Sequence, residues 1–435
     1  MFVLALLKII FTFLMYNLAF FGFFLVLLLV IQFRLKKLTQ LRYNGTKIMT
    51  FIHPNCNDCG GGEKVLWVML KSIVENFKNN NFVNLKINIV AGNNDSASEI
   101  LSKVKQRFNI DFSNSPIKIE LVRLKTAFLL KPFPNFTMIV QIIGQIIFAF
   151  ELLLTVYSDI VIDSTGLPYM LPVTTVFGRS TSIAYVHYPL ISLDMISDIS
   201  KGVSGVHSRG MLSKFILFRY LKICYYYIIF VTYKIVGYFV HYAFTNSTWT
   251  DNHIKVIWTN LKTEILYPPC STKLYSNNKP FQERKNQILS FAQFRPEKNH
   301  KMQVEIFGMV LDRSKLNDLT MYILGSIRGP EDRDIFNGVN ALIKEKGLEN
   351  RIFLVENPPF DQVKSLFESS KIGIHTMRDE HFGISIVEMM SAGLLTIAHK
   401  SGGPLNDIIG TAKTQVGLLA KGKFENIYNQ YNNLL

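Results

Sequence analysis

The chain is short of cysteine and short of acid, and each shortage excludes something. Four cysteines in 435 residues, Cys56, Cys59, Cys224 and Cys270, are too few and too scattered to staple a secreted fold, which fits a reducing compartment. Cys56 and Cys59 form a lone C-x-x-C. A structural zinc ion wants four ligands and no second pair exists, so the two are read as small loop residues and no metal site is expected. Only 32 Asp and Glu stand against 47 Lys and Arg, a formal balance of +15. Such a balance admits an anionic membrane, a phosphate-bearing substrate or nucleic acid. Zinc-finger spacing, an RRM-like aromatic signature and a massed basic patch are all missing, so nucleic acid is set aside as a partner.

Charge is also missing from Ile9 to Phe33. Those 25 residues reach roughly 37 Å as a helix, against about 30 Å of hydrocarbon. A cleaved leader would be shorter and would end at a small-residue site, whereas this run passes straight into Arg34, Lys36, Lys37 and Arg42. Residues 1–33 are therefore expected to anchor the chain in a membrane, and the basic flank puts the body on the cytoplasmic side.

What remains is sized for two domains. Strands are expected at Lys47–Pro54, Leu85–Gly92, Ile117–Leu124, Asp159–Gly166 and Ser182–Pro189, with a helix from Glu63 to about Phe77. A second series is expected at Gln287–Ala292, Leu319–Ser326, Arg351–Glu356, Ile372–Met377 and Leu394–His399. Strands alternating with helices predict an α/β chain of two Rossmann-like lobes, over 45–270 and 287–435, with polar residues 271–286 as linker. Two further apolar stretches, Met138–Tyr157 and Phe215–Phe244, carry internal charges and are read as surface-seated or core helices rather than crossings. On that reading the first lobe rests on the bilayer.

Ligands of such sheets sit outside the carboxyl ends of the strands, so the loops after Pro54, Ala292, Met377 and Lys400 are where chemistry is expected. The fullest constellation is RDEHFGISIVEMMSAGLLTIAHK, Arg378–Lys400. A helix opening at Gly383 and Ile384 would aim free N–H groups at a diphosphate. Glu388, one turn on, could accept two ribose hydroxyls, and Glu380 in the preceding loop could meet the hydroxyls of a transferred sugar. Gly402 and Gly403 follow the next strand and would let backbone approach a phosphate. In FAQFRPEKNH, Arg295 and Lys298 are candidates to neutralise a departing nucleoside diphosphate. Gly60, Gly61 and Gly62 precede the first helix and could cradle phosphate or acceptor, and His187 in YVHYP could hydrogen-bond the donor sugar.

Together HPNCNDCGGGEKVLW, AYVHYPLIS, FAQFRPEKNH and EHFGISIVEMMSAG resemble the family of GDP-mannose-dependent α-1,2-mannosyltransferases that extend the dolichol-linked Man3GlcNAc2 core of the N-glycan precursor. The resemblance runs from the anchor to about Ile409. It implies a GT-B fold, two lobes facing a cleft, with GDP-mannose bound mainly by the second lobe, no cofactor and no essential metal. It implies that Glu388 takes the ribose, Glu380 the mannose, Arg295 and Lys298 the diphosphate, and His187 with the glycine loop the reaction centre. Retention of the α configuration is implied, the leaving phosphate acting as base.

Implied partners are the dolichol-diphosphate-linked oligosaccharide, the endoplasmic reticulum membrane with the lobes on its cytosolic side, and other mannosyltransferases of the pathway. Three departures stand out. Gln293 occupies the place where many related transferases carry the diphosphate arginine, and Cys59 a place where Ala or Gly is expected. The chain also stops at Leu435, where this fold usually continues into a helix that braces the first lobe, so either a truncated second lobe or a different closure of the lobes is expected. Two alternatives stay open: a related GT-B transferase with another lipid-linked acceptor, and an inactive membrane-bound partner of glycosyltransferases.

Overall fold

A computed structural model describes residues 28–38, 46–58, 60–79, 84–92, 95–130, 137–200, 216–277, 279–313, 316–412 and 416–420, with Thr12, Met15, Tyr16, Gly22 and Val26 before them. Most of the anchor expected at residues 1–33, and Cys59, lie outside the described residues. The chain divides into two compact units. One comprises Met1–Val186, Tyr225–Phe244 and Lys255–Thr263; the other His187–Cys224, Thr245–Ile254 and Glu264–Leu435.

In the first sheet the strands are β1 (Lys47–Ile52), β2 (Leu85–Ala91), β3 (Lys118–Arg123), β4 (Ile160–Asp163), β5 (Thr181–Val186), β6 (Tyr242–Thr245) and β7 (Thr263–Ile265), in the order β3-β2-β1-β4-β5-β6-β7. The β1 pairings with β2 and β4 are parallel, with Phe51 opposite Ile89 and Ile162. A parallel sheet is covered on both faces, which is why β1 ends in the buried Phe51 and Ile52 and β2 in the buried Ile89, Val90 and Ala91, with no alternation of apolar and polar residues there. Trp67, Leu66 and Leu70 of the helix Gly61–Asn79 are fully buried over Phe51 and Ile87, and the Trp67 indole N–H donates to the Cys56 carbonyl at 2.9 Å. Each such side chain contributes roughly 1.5–3 kcal/mol of apolar burial.

The second sheet holds β8 (Lys285–Phe291), β9 (Thr320–Gly325), β10 (Ile352–Glu356), β11 (Ser370–His375), β12 (Leu395–His399) and β13 (Gly417–Ala420), in the order β10-β9-β8-β11-β12-β13. All five neighbouring pairs are parallel. Every expected strand is present within a few residues. Strands β6, β7 and β13 were not expected, because three or four residues are too few to show a period.

Residues 271–286, expected as a linker, are largely structured and packed. Tyr275 of the short helix Thr272–Tyr275 is buried and stacks on Phe367 with centroids 4.6 Å apart. Arg284 is buried too and donates to the carbonyls of Lys279 and Ser370. The polar composition that suggested a linker serves these backbone hydrogen bonds.

The stretch Met138–Tyr157 is the helix Thr137–Thr155, the one helix among the described residues long and apolar enough to cross a membrane, with 33% of its most apolar window buried. Its Glu151 accepts the backbone N–H groups of Lys125 and Thr126, both at 2.8 Å, and Gly144 lets Leu129 approach so closely that a Cβ would lie 2.5 Å from the Leu129 carbonyl oxygen. One face is thus packed inside the first unit. The stretch Phe215–Phe244 is not all helical: the helix Ile216–Val236 is followed by a turn and then by β6, which the unbroken apolar composition concealed.

Candidate active site

Strand order reverses between β8 and β11, and a doubly wound sheet opens its ligand crevice at such a point. The loops leaving these strands carry Ala292–His300 and Thr376–Gly383, and a buried polar chain ties them together. Of the His300 ring nitrogens, Nε2 lies 3.0 Å from the Gln293 carbonyl and Nδ1 lies 3.1 Å from Gln303 Oε1. Gln303 Nε2 donates to Thr376 Oγ1 at 2.9 Å, and Thr376 Oγ1 donates to the Lys298 carbonyl at 2.8 Å. Burial lowers the His300 pKa.

That frame delivers Lys298 to Glu380. The Glu380 Oε2 accepts from Lys298 Nζ at 2.5 Å and lies 2.7 Å from His375 Nε2, while Oε1 accepts the His381 N–H at 3.2 Å. Lys298 Nζ also lies 3.1 Å from Met377 Sδ. Burial pushes the Glu380 carboxyl up, but Lys298 and the His375 contact outweigh it and hold the group well below its ordinary range. His375, the last residue of β11, is pulled down by burial despite its carboxylate neighbour. An ionised carboxylate accepts only, so His375 carries its proton on Nε2. Of the oxygens expected to meet sugar hydroxyls, Oε2 is thus already paired with an ammonium and an imidazole and Oε1 with a backbone N–H.

Gly383 sits at φ +111° as N-cap of the helix that starts with Ile384, a conformation that favours glycine. Glu388, in the second turn, is buried, and its Oε1 accepts the Ser271 N–H at 3.0 Å. Arg295 is half-buried, and among the described residues its guanidinium holds no ion pair. Gly402 (φ +55°) and Gly403, expected to let backbone approach a phosphate, pack closely on the loop that carries Glu380. A Cβ on Gly402 would lie 2.2 Å from the Glu380 carbonyl oxygen, and the Gly403 N–H donates to that oxygen at 2.7 Å. Ser401 Oγ accepts the Asp379 N–H at 2.7 Å. The turn therefore fixes the loop from which Glu380 projects.

His187 belongs to this unit as well, its carbonyl accepting from Asn246 Nδ2 at 2.9 Å. Its neighbour Tyr188 stacks on His381 with centroids 4.2 Å apart, and Trp249 lies on the same imidazole at 5.4 Å. Burial lowers the His381 pKa to about 4, with Glu380 opposing and Lys298 and His187 assisting. Thr248 and Tyr267 both donate to Asp407, the Thr248 N–H and the Tyr267 hydroxyl each at 3.0 Å. Sequence reasoning passed over His375, His381 and Tyr188. The signal available for His375 was a titratable residue closing a buried strand at the reversal of strand order.

Gly60, Gly61 and Gly62 lie in the first unit, at its own reversal between β1 and β4. Gly61 opens the helix Gly61–Asn79, and the Gly60 N–H donates to Glu63 Oε2 at 2.6 Å. Glu63 Oε1 lies 3.5 Å from His53 Nε2, an electrostatic contact rather than a hydrogen bond. His53 Nδ1 is 2.9 Å from Ser164 Oγ beyond β4. Burial raises the Glu63 pKa, but His53 and the Gly60 N–H bring it below the ordinary value. Cys56 is buried and its thiol is pushed up to about 12 by that burial, as befits a packed loop residue.

Residues 46–258 match the family described as ALG11 mannosyltransferase N-terminus, and residues 271–430 match Glycosyl transferases group 1. The chain is 37% identical over 375 residues to the GDP-Man:Man(3)GlcNAc(2)-PP-Dol alpha-1,2-mannosyltransferase of Kluyveromyces lactis, a match covering 83% of this chain and 63% of that protein's length. It is 33% identical over 404 residues to the protein of that name from Mus musculus, covering 90% and 80%. Among solved structures, Anabaena HepE in complex with UDP and glucose superposes with a TM-score of 0.57 at 15% identity, covering 89% of each chain. The sucrose-phosphate synthase of Thermosynechococcus elongatus does so at 0.61 and 12%, again covering 89% of each. This likeness shows the fold, two parallel-sheet α/β lobes of the GT-B type.

Proposed function

Because the chain belongs to the family of GDP-Man:Man(3)GlcNAc(2)-PP-Dol alpha-1,2-mannosyltransferases, we propose that it moves mannose from GDP-mannose, in α-1,2 linkage and with retention, to dolichol-diphosphate-linked Man3GlcNAc2 and then Man4GlcNAc2. The observation that carries the chemistry is the Lys298–Glu380 pair at the reversal of the second sheet, one loop before the helix bearing Glu388. The identity of the donor sugar and of the acceptor comes from the relatives.

In this reading Lys298 turns from Glu380 to the diphosphate, joined by Arg295, and the two cations meet the charge that grows as GDP departs. Glu380, released from the ammonium, accepts mannose hydroxyls, and Glu388 accepts those of the ribose. A carboxylate occupied by the His375 N–H and by sugar hydroxyls is a hydrogen-bond acceptor rather than a free nucleophile, which favours the leaving phosphate as base toward the acceptor hydroxyl. With both cations in place, no metal is needed for charge neutralisation. The reading gives His187 a hydrogen bond to the donor sugar and the Gly60–Gly62 loop a contact with phosphate or acceptor.

A membrane face supports the lipid-borne acceptor. On the helix Ile216–Val236, Tyr226, Ile229, Tyr233 and Val236 are buried. The opposite stripe of Tyr220, Leu221, Tyr227, Ile228, Val231 and Ile235 is exposed, flanked by Arg219, Lys222 and Lys234. An outward aromatic and aliphatic stripe with basic residues at its margins matches an anionic interface. The proposed setting is the cytosolic face of the endoplasmic reticulum membrane.

Purified protein given GDP-mannose and a trimannosyl dolichol-linked acceptor should extend the glycan after metal chelation. Parallel reactions with UDP-glucose and UDP-galactose should give no product. Transfer from a uridine sugar in preference to GDP-mannose would sink the donor assignment.

A further inference from the structure

Glu380 has three donors, and they differ in how firmly they are held. Lys298 reaches it on a four-carbon stem whose side chain is 18% exposed, and its own loop supplies the His381 N–H to the other oxygen. The His375 side chain is 2% exposed and sits at the end of β11, which lies between β8 and β12, so it is held far more firmly than the lysine. When Lys298 is drawn to a phosphate, Glu380 loses its cation while still buried. A buried carboxylate in that state takes up a proton or swings toward solvent unless other donors satisfy it.

We propose that His375 is a positioning residue of the donor site: its Nε2–H keeps the Glu380 carboxylate ionised and in place once Lys298 has exchanged Glu380 for the donor diphosphate. The inference rests on the donor reading above and concerns a residue that touches Glu380 rather than substrate. One fixed neutral donor suits the task better than a second cation, which the diphosphate would draw away from Glu380 as it draws Lys298. Buried beside Lys298, the imidazole is kept in its neutral form. The donor thus binds by partner exchange: the ammonium moves, the imidazole stays, and the carboxylate it holds presents its remaining lone pairs to the sugar.

The test uses the full chain with His375→Gln and His375→Met, side chains of like length of which only the first has an N–H donor. His375→Phe repeats the donor-less arm with a ring of similar shape. GDP binding by calorimetry reports the nucleotide part of the site, and kcat for mannose transfer reports the placement of Glu380. Expected are GDP affinities within about twofold of wild type in all three, a fall of about 100-fold in kcat for Met and Phe, and recovery of at least tenfold of that loss in Gln. Wild-type kcat in the Met or Phe variant overturns the proposal. So does a parallel loss of GDP binding and kcat, the mark of a merely structural residue, and so does a Gln variant no better than Met. Wild-type protein that binds GDP yet takes no mannose from GDP-mannose overturns the donor reading itself, a different failure from that of His375.

Discussion

The two sheets reverse strand order in the same way, each with a histidine and a glutamate at the reversal, and yet the two places are chemically unlike. In the second unit the carboxylate faces a lysine at 2.5 Å and a histidine at 2.7 Å. In the first, Glu63 bonds the Gly60 N–H at 2.6 Å and meets His53 only at 3.5 Å. Shared topology supplies a concave place with free loop ends. Which side chains can change partners there decides what the place does. Lys298 can trade one anion for another. Glu63 caps its own helix and leaves the first turn with its charge already answered.

Removing the ammonium should separate the two most sharply. Lys298→Ala should lower mannose transfer by about 10³-fold and destabilise the second unit by about 3 kcal/mol, since Glu380 stays buried without its cation. Glu388→Ala should abolish transfer and, by removing the buried acceptor of the Ser271 N–H, cost about 1–2 kcal/mol of stability. Wild-type rates in both variants would refute the site assignment.

His381 gives a pH-dependent contrast. Its folded pKa of about 4 lies below the ordinary imidazole value, so between pH 6.5 and 4 the unfolded chain binds a proton that the folded chain refuses. Stability is therefore complete above pH 6.5 and falls as pH drops toward 4, by at most about 3 kcal/mol from this residue. His381→Phe, which keeps a ring between Tyr188 and Trp249, should flatten that part of a denaturant-midpoint profile. An unchanged slope would mean that His381 is not the group that titrates.

Gly402→Ala should cost about 1–3 kcal/mol, through left-handed backbone and a collision with the Glu380 carbonyl, and should lower transfer by moving the loop. The smallest effect belongs to the first unit. Glu63→Ala should cost about 1 kcal/mol by uncapping the helix Gly61–Asn79, while Glu63→Gln, which still accepts from Gly60, should cost little. Equal losses in the two Glu63 variants would show that the charge toward His53 matters more than the cap.

Much of the fold was legible because strand and helix periods are local. All ten expected strands appear, and the loops singled out carry Lys298, Glu380, Gly383, Gly402 and Gly403, with Glu388 on the helix that follows Gly383. His375 escaped notice because, within KIGIHTM, it reads as one more residue of an apolar strand. Gly402 shows a related limit: a glycine announces a close approach but not everything that approaches, and the Asp379–Glu380 backbone against it was not legible. The segment from Phe215 hid β6 because its apolar composition is the same in helix and strand.

The sequence by itself determined two runs of alternating strands and helices, the loops at the strand ends and the types of charge those loops hold. Tertiary structure alone decided the partners. Lys298 and Glu380 are 82 positions apart, and Ser271 and Glu388 are 117 apart. No local period encodes such distances. The first closes when the adjacent parallel strands β8 and β11 bring their carboxyl ends together, the second when the segment before β8 packs on the helix Ile384–Ser391, and burial then makes a carboxylate depend on whichever donors have arrived.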